Sequence, residues 1–193
     1  LDKEIQAQKA KIEELDQSVK SKFVEMFDLD NFIKTGTNSS YNLEEISTLC
    51  EDGRGRIISK QYIDNNPGEF PVYSSQTSNE GILGYINSYD FEGEYLTWTT
   101  DGANAGKVFH RNGKFNCTNV CGTLKIKDVY KNQVTYKYLN EILNKTTKLY
   151  VSKVGNNKLM NSAMKKIPIP LPPIELQNEF ASYVEEIDKL KFE

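Results

Sequence analysis

Four groups of residues have the types and spacing to meet a polyanion. Lys107, Arg111 and Lys114 flank Asn112 in Lys107-Val-Phe-His-Arg-Asn-Gly-Lys114. Lys153, Asn156, Asn157 and Lys158 crowd Ser152-Lys-Val-Gly-Asn-Asn-Lys158. Arg54 and Arg56 alternate with glycine in Asp52-Gly-Arg-Gly-Arg56, and Ser75 and Gln76 sit in Tyr73-Ser-Ser-Gln-Thr-Ser78. Lysine and arginine meet phosphates or guanine edges, and a side-chain amide can pair with adenine at two atoms. Glycine lets the backbone come close to a ligand. Each group taken alone is also what an ordinary polar loop looks like. The functional expectation comes from their occurring together.

Catalytic signatures are missing. His110 is the single histidine, and beside Arg111 it suits a surface or phosphate contact better than a general base. No phosphate-binding loop and no Gly-x-Gly-x-x-Gly after a strand occurs. Asp101-Gly-Ala-Asn-Ala-Gly106 is glycine-rich, but it falls between two predicted strands and is expected to be a tight turn. No Asn-Pro-Pro-Tyr motif of base-modifying methyltransferases is present. Glu92 and Glu94 fall near a turn, with nothing to raise a carboxyl pKa. Cys50, Cys117 and Cys121 make an odd set, which suits free thiols in a reducing cytoplasm. No further Cys or His pair completes a four-ligand zinc site around Cys117 and Cys121. The expectation is no catalytic residue, no cofactor held by this chain and no metal.

The elements that must position these groups follow from periodicity. Residues 1–27 lack Gly and Pro, and Ile5, Ile12, Val19 and Met26 recur every seven residues, with Leu1 and Leu15 at companion positions. Gln8 and Lys22 interrupt the second stripe. The seven-residue spacing fits an amphipathic helix lying on its own domain and favours half of a coiled coil, about 39 Å long at 1.5 Å per residue. Gly36, Asn38, Ser39 and Ser40 mark a connector over 28–40. Strands are predicted at 84–87, 94–99, 107–110, 114–117 and 123–127. Asn112-Gly113 between alternating runs predicts a tight hairpin. Helical patterns follow over 134–144 and 160–165. Ile167-Pro-Ile-Pro-Leu-Pro-Pro173 predicts an extended edge segment, and Pro173 suits the first turn of a last helix carrying Phe180, Val184 and Ile187. The fold class expected is α+β: a mostly-β globular domain with a few short helices, flanked by long coiled-coil helices. The boundaries are 1–30, 31–172 and 173–193.

The 193 residues carry a formal net charge of −3, which argues against a nucleic-acid partner until it is divided. Residues 1–30 hold −3 and 173–193 hold −4. Residues 31–104 hold −7, whereas 105–172 hold thirteen basic residues and only Asp128 and Glu141, giving +11. Segregation of this size is the footprint expected for a polyanion partner. No apolar run approaches the roughly 20 residues a bilayer crossing needs, so no membrane partner is expected.

Five runs then appear in order: Phe70-Pro-Val-Tyr-Ser-Ser75, Gly81-Ile-Leu-Gly-Tyr-Ile86, Phe91-Glu-Gly-Glu-Tyr95, Asp101-Gly-Ala-Asn-Ala-Gly106 and Gly113-Lys-Phe115. Ile167-Pro-Ile-Pro-Leu-Pro-Pro-Ile-Glu-Leu-Gln177 leads into a helix, and Leu15-Asp-Gln-Ser-Val-Lys-Ser-Lys-Phe-Val-Glu-Met-Phe27 ends one. Together they resemble the specificity subunit of type I restriction-modification systems over nearly the whole chain. The resemblance implies a target recognition domain over 31–172 between conserved spacer helices, reading one half of a split double-stranded DNA target. It implies modification subunits that methylate with S-adenosylmethionine, and a restriction and motor subunit that uses ATP and Mg, all in the cytoplasm. The full pattern has two recognition domains and this chain has one, so a half subunit or a fragment is expected, and two copies could pair through the helices. The family varies its reading surface, so no base-contacting residue carries over. An alternative reading is a β-rich carbohydrate-binding or interaction module on a coiled-coil stalk, with Trp98 stacking on sugar.

Overall fold

The computed structural model describes residues 2–37 and 39–191; Leu1 and Asn38, named above, lie outside them. Its elements are α1 (Asp2–Phe27), α2 (Asp30–Thr35), β1 (Leu43–Glu45), α3 (Ile46–Leu49), β2 (Cys50–Arg54), α4 (Lys60–Asn65), β3 (Pro67–Tyr73), β4 (Ile82–Ile86), β5 (Phe91–Thr99), β6 (Val108–Cys117), β7 (Cys121–Ile126), α5 (Tyr136–Thr146), α6 (Asn161–Met164), β8 (Pro168–Pro170) and α7 (Ile174–Leu190). Six strands form one mixed sheet in the order β2-β7-β5-β6-β3-β4. Its β3–β6 pair is parallel and the others antiparallel. The proline-rich β8 pairs only with the short β1, as strands lacking backbone donors must at an edge. The class is α+β. No helix among the described residues is long and apolar enough to cross a membrane.

The core forms where α5 lays Tyr138, Leu139, Ile142 and Leu143 on one sheet face, against Leu96, Trp98, Val108, Leu124 and Ile126. Both terminal helices add to this core and run antiparallel. Tyr183 Oη lies 3.3 Å from Ser18 Oγ, and Lys191 Nζ 2.7 Å from Asp16. The buried stripe of α1 is Val19, Phe23 and Phe27, which keeps only Val19 of the seven-residue series. Leu15 and Met26 are half-buried against the core and Ile12 is half-buried, while Ile5 is 45% exposed. The reason is aromatic. Phe23 and Phe27, four residues apart, meet Tyr138 and Phe180 with ring centroids 5.0–5.7 Å apart, and rings bury the largest areas. On α7, Phe180 and Ile187 are buried and Val184 half-buried.

Three expectations change. The segment 28–40 is more than a connector: it holds α2, whose Phe32 is buried beside Leu29, ended by Gly36 at φ 70. No hairpin forms at Asn112-Gly113. The two predicted arms fuse into the single strand β6, because both pair with β5, Asn112 opposite Glu94 and Gly113 opposite Gly93. The reversal lies at 101–106 instead. Gly93 (φ 108) and Gly113 (φ 105) face each other, both in conformations that favour glycine. Beside them Phe91 and Phe115 pack on Tyr95, giving a small second cluster with Cys117 and Cys121. The cysteines are free and buried, their sulfurs 3.4 Å apart. Finally, Trp98 faces no ligand. It is 1% exposed, donates from Nε1 to Leu159 O at 2.8 Å, and leaves no room for a Cβ at Gly122, 2.3 Å from its ring.

Candidate nucleic-acid interface

The loops that leave one end of β5, β6, β7 and β2 are laced into one surface. The turn 101–106 has Gly102 at φ 93 and Gly106 at φ 87, conformations that explain its two flanking glycines. Beside it, residues 152–158 close a finger in which Ser152 and Lys158 exchange both backbone hydrogen bonds, at 2.8 and 3.0 Å. Gly155 turns its tip at φ 74, and Val154 there is 91% exposed. The finger is braced on the turn: Gly102 N donates to Asn157 O (3.0 Å), Leu159 N donates to Thr100 O (2.9 Å), and Lys158 Nζ stands 3.6 Å from Asp101. Arg54 joins from the end of β2, donating to Asn119 O (2.7 Å) and Thr100 Oγ1 (3.0 Å) and standing 3.7 Å from Asp101. Asn104 donates to Thr77 Oγ1 (3.1 Å), which ties in the loop of Ser75 and Gln76. Gln76 itself donates to Ile82 O.

Arg54, Ser75, Gln76, Lys107, Lys153, Asn156, Asn157 and Lys158 thus belong to one set of connected loops. Four other candidates do not. Arg56 turns to Asp90 (2.8 Å) and lies over the Tyr62 ring. Lys114 lies 3.7 Å from Glu92 and over Tyr89. Asn112 is exposed in mid-strand. Arg111 is 7% exposed, with its guanidinium 3.6 Å from the Tyr73 ring centroid and 4.4 Å from that of Phe109. It donates to Glu80 O (2.6 Å) and Thr97 Oγ1 (3.2 Å). Burial lowers its pKa from the usual arginine value. It acts as a bracket for the 74–81 loop, where Asn79, Glu80 and Gly81 all hold positive φ. His110 is tied to Glu94 at 2.7 Å and stacked on Tyr136.

Next to the finger opens a cleft of about 570 Å³, walled by Lys107, Lys145, Lys148, Lys153 and Asn157. Glu141 is the acid in its wall. Burial raises the Glu141 pKa above the ordinary carboxylate value despite the lysines around it. Burial, together with repulsion from Lys20, lowers the pKa values of Lys107 and Lys145.

These loops and this cleft lie within a segment that matches a known family. The profile of the type I restriction modification DNA specificity domain covers residues 37–193. The chain belongs to that family. It is similar to the specificity subunit of the type I restriction enzyme MpnII of Mycoplasma pneumoniae, 42% identical over 156 residues, which are 80% of this chain and 46% of that one. Its fold is similar to the crystal structure of a type I restriction-modification S subunit from M. genitalium, with TM-score 0.64 at 15% identity over 98% of this chain and 51% of that chain. It is also similar to the HsdS subunit from Thermoanaerobacter tengcongensis, with TM-score 0.62 at 13% identity over 98% and 47%. The chain spans about half the length of the curated relatives it matches.

The specificity domain does not gather its thirteen basic residues of 105–172 on one face. Lys131 pairs with Asp128, Lys137 with Glu185, Lys158 with Asp101 and Lys165 with Asp52. Lys127 is spent on Ser47 O at 2.7 Å and Arg111 is inside. Part of the sequence segregation is cancelled in three dimensions by acids from the first half of the chain, which pair Lys114, Lys158 and Lys165, and from α7, which pairs Lys137. Of the others, Lys107, Lys145, Lys148 and Lys153 line the cleft. Lys145 and Lys148 escaped the sequence reading, although Glu141 and Lys145 stand at i and i+4 on α5 and Lys148 follows in the 3-10 turn Thr147–Leu149.

Proposed function

We propose that this chain is a non-catalytic DNA-sequence reader. Its domain 31–172 recognises one half of a bipartite duplex target, and the helices 1–30 and 173–193 serve as spacers and packing surfaces. Methylation with S-adenosylmethionine would belong to modification subunits, and ATP- and Mg-dependent cleavage to a restriction subunit, in the cytoplasm. Two copies pairing as a coiled coil through α1 and α7 would read an inverted repeat.

One observation carries the reading at the site. Three loops bearing Arg54, Ser75, Gln76, Asn157 and Lys158 are cross-braced by backbone and side-chain bonds, with Lys153 and Asn156 exposed on the finger. A rigid loop end that offers amide and cationic donors suits base edges and phosphates together. A neutral glycan requires no such charge, and the tryptophan that would have stacked on it is buried. Replacing Lys153 and Lys158 with Glu should weaken duplex binding in a fluorescence titration. The slope of log affinity against log salt should flatten by about 0.9 for each phosphate no longer neutralised. Unchanged affinity and slope would remove the finger from the interface.

A further inference from the structure

The sequence assigns α1 to packing, and its buried stripe does pack. One residue of that helix faces elsewhere. Lys20, exposed and next to buried Val19, lines the lysine cleft together with Lys107, Lys145, Lys148 and Lys153. It also lines the adjoining cleft of about 360 Å³ that continues between α1, α5 and α7. Among the described residues none of these five lysines has a carboxylate within ion-pair distance. By contrast Lys22, Lys131, Lys137, Lys158, Lys165 and Lys191 all do. The nearest candidate on α1, Asp16, one turn before Lys20, is already held by Lys191 at 2.7 Å. Glu141 contributes one negative charge at most, and burial works against that charge.

Five cations around one opening, with one disfavoured acid among them, repel one another. Like charges held together are tolerated where an anion brings the compensation. The cleft is open, it adjoins the finger through Lys153 and Asn157, and its charged donors are lysines, compact point charges that suit phosphate.

We propose that α1 is itself a DNA-contacting element: Lys20 completes, from the spacer helix, a lysine-walled cleft that receives the sugar–phosphate backbone flanking the recognised bases. This rests on the DNA-reading function proposed above. It adds that the helix and the domain grip one backbone together, so the spacer is fixed in angle on the DNA by touching it directly.

The test is duplex binding by the full chain across about 50 to 200 mM salt, comparing wild type with Lys20→Gln, Lys148→Gln and the control Lys189→Gln, a lysine of α7 outside the cleft. Lys20→Gln and Lys148→Gln should each lower the salt slope by about 0.9. Each should weaken binding to all duplexes by the same factor, leaving preference among sequences unchanged, whereas Lys189→Gln should match wild type. Lys20 is exposed and unpaired, so equal circular-dichroism melting curves are expected. Wild type that binds duplex with Lys20→Gln identical in slope overturns the cleft proposal alone. A change in preference among sequences also overturns it, because it would make Lys20 a base reader. Wild type that fails to bind duplex at any of these salt concentrations overturns the DNA-reading function and the cleft with it.

Discussion

Arg111 and Glu141 are charged side chains whose sequence context misdescribes their surroundings. Arg111 sits among Lys and Asn and has the composition of a surface residue, yet its guanidinium is sandwiched by Tyr73 and Phe109. The aromatic faces and the Glu80 carbonyl replace water around a cation that pairs with no carboxylate among the described residues. Glu141 carries the opposite lesson. Its folded pKa lies above the free value, so at neutral pH its charge opposes folding. That penalty disappears as the pH falls through its raised titration range and the carboxyl becomes neutral. Glu141→Gln should therefore raise the melting temperature at neutral pH, with the gain fading in acid. Scanning calorimetry of both proteins across pH measures it, and a gain that grew as the pH fell would contradict the burial argument.

Helices and edges were largely legible in sequence, and turns less so. The amphipathic run before Asn144 is α5, the proline alternation is edge strand β8, and the last helix starts after Pro173. These depend on local constraints: a 3.6-residue apolar period, missing backbone donors and a fixed φ. The strand pairing depended on distant partners. Asn112-Gly113 has hairpin chemistry, but β5 offers one continuous partner to both arms, and the glycine takes a positive φ within the strand, opposite Gly93. Arg54, Asp101 and Lys158 are far apart in sequence, and only sheet order brings them together. The seven-residue pattern of α1 gave way to the Phe23–Phe27 pair because ring packing against α5 and α7 is a tertiary effect. The join between β8 and α7 rests on one buried side chain. Gln177 donates from Nε2 to Gln133 O and Pro172 O, both at 2.9 Å, and accepts from Thr135 N at 2.9 Å. Gln177→Leu keeps the volume and removes the partner of three backbone groups, one in a buried bond and two in part-buried ones. It should cost about 3 kcal/mol, read from urea unfolding; a cost near zero would show that water replaces the amide.

At the scale of the molecule, charge decides what the chain meets. A net −3 conceals a basic stretch, and folding then neutralises part of that stretch with acids from other elements. The braced finger and the lysine cleft adjoin. The finger's amides and cations suit base edges, and the cleft suits backbone. The proposed reading of DNA would use both, because phosphate contacts supply affinity and register while base contacts supply choice. Specific recognition by the braced loops is the central claim. Its most direct measurement is selection of the full chain against a pool of randomised duplexes, followed by sequencing of what is retained. Enrichment of one short motif is expected, present once or as an inverted repeat if two copies pair, with loss of that enrichment in the Lys153→Glu, Lys158→Glu protein. Uniform retention of the pool, or none, would contradict it.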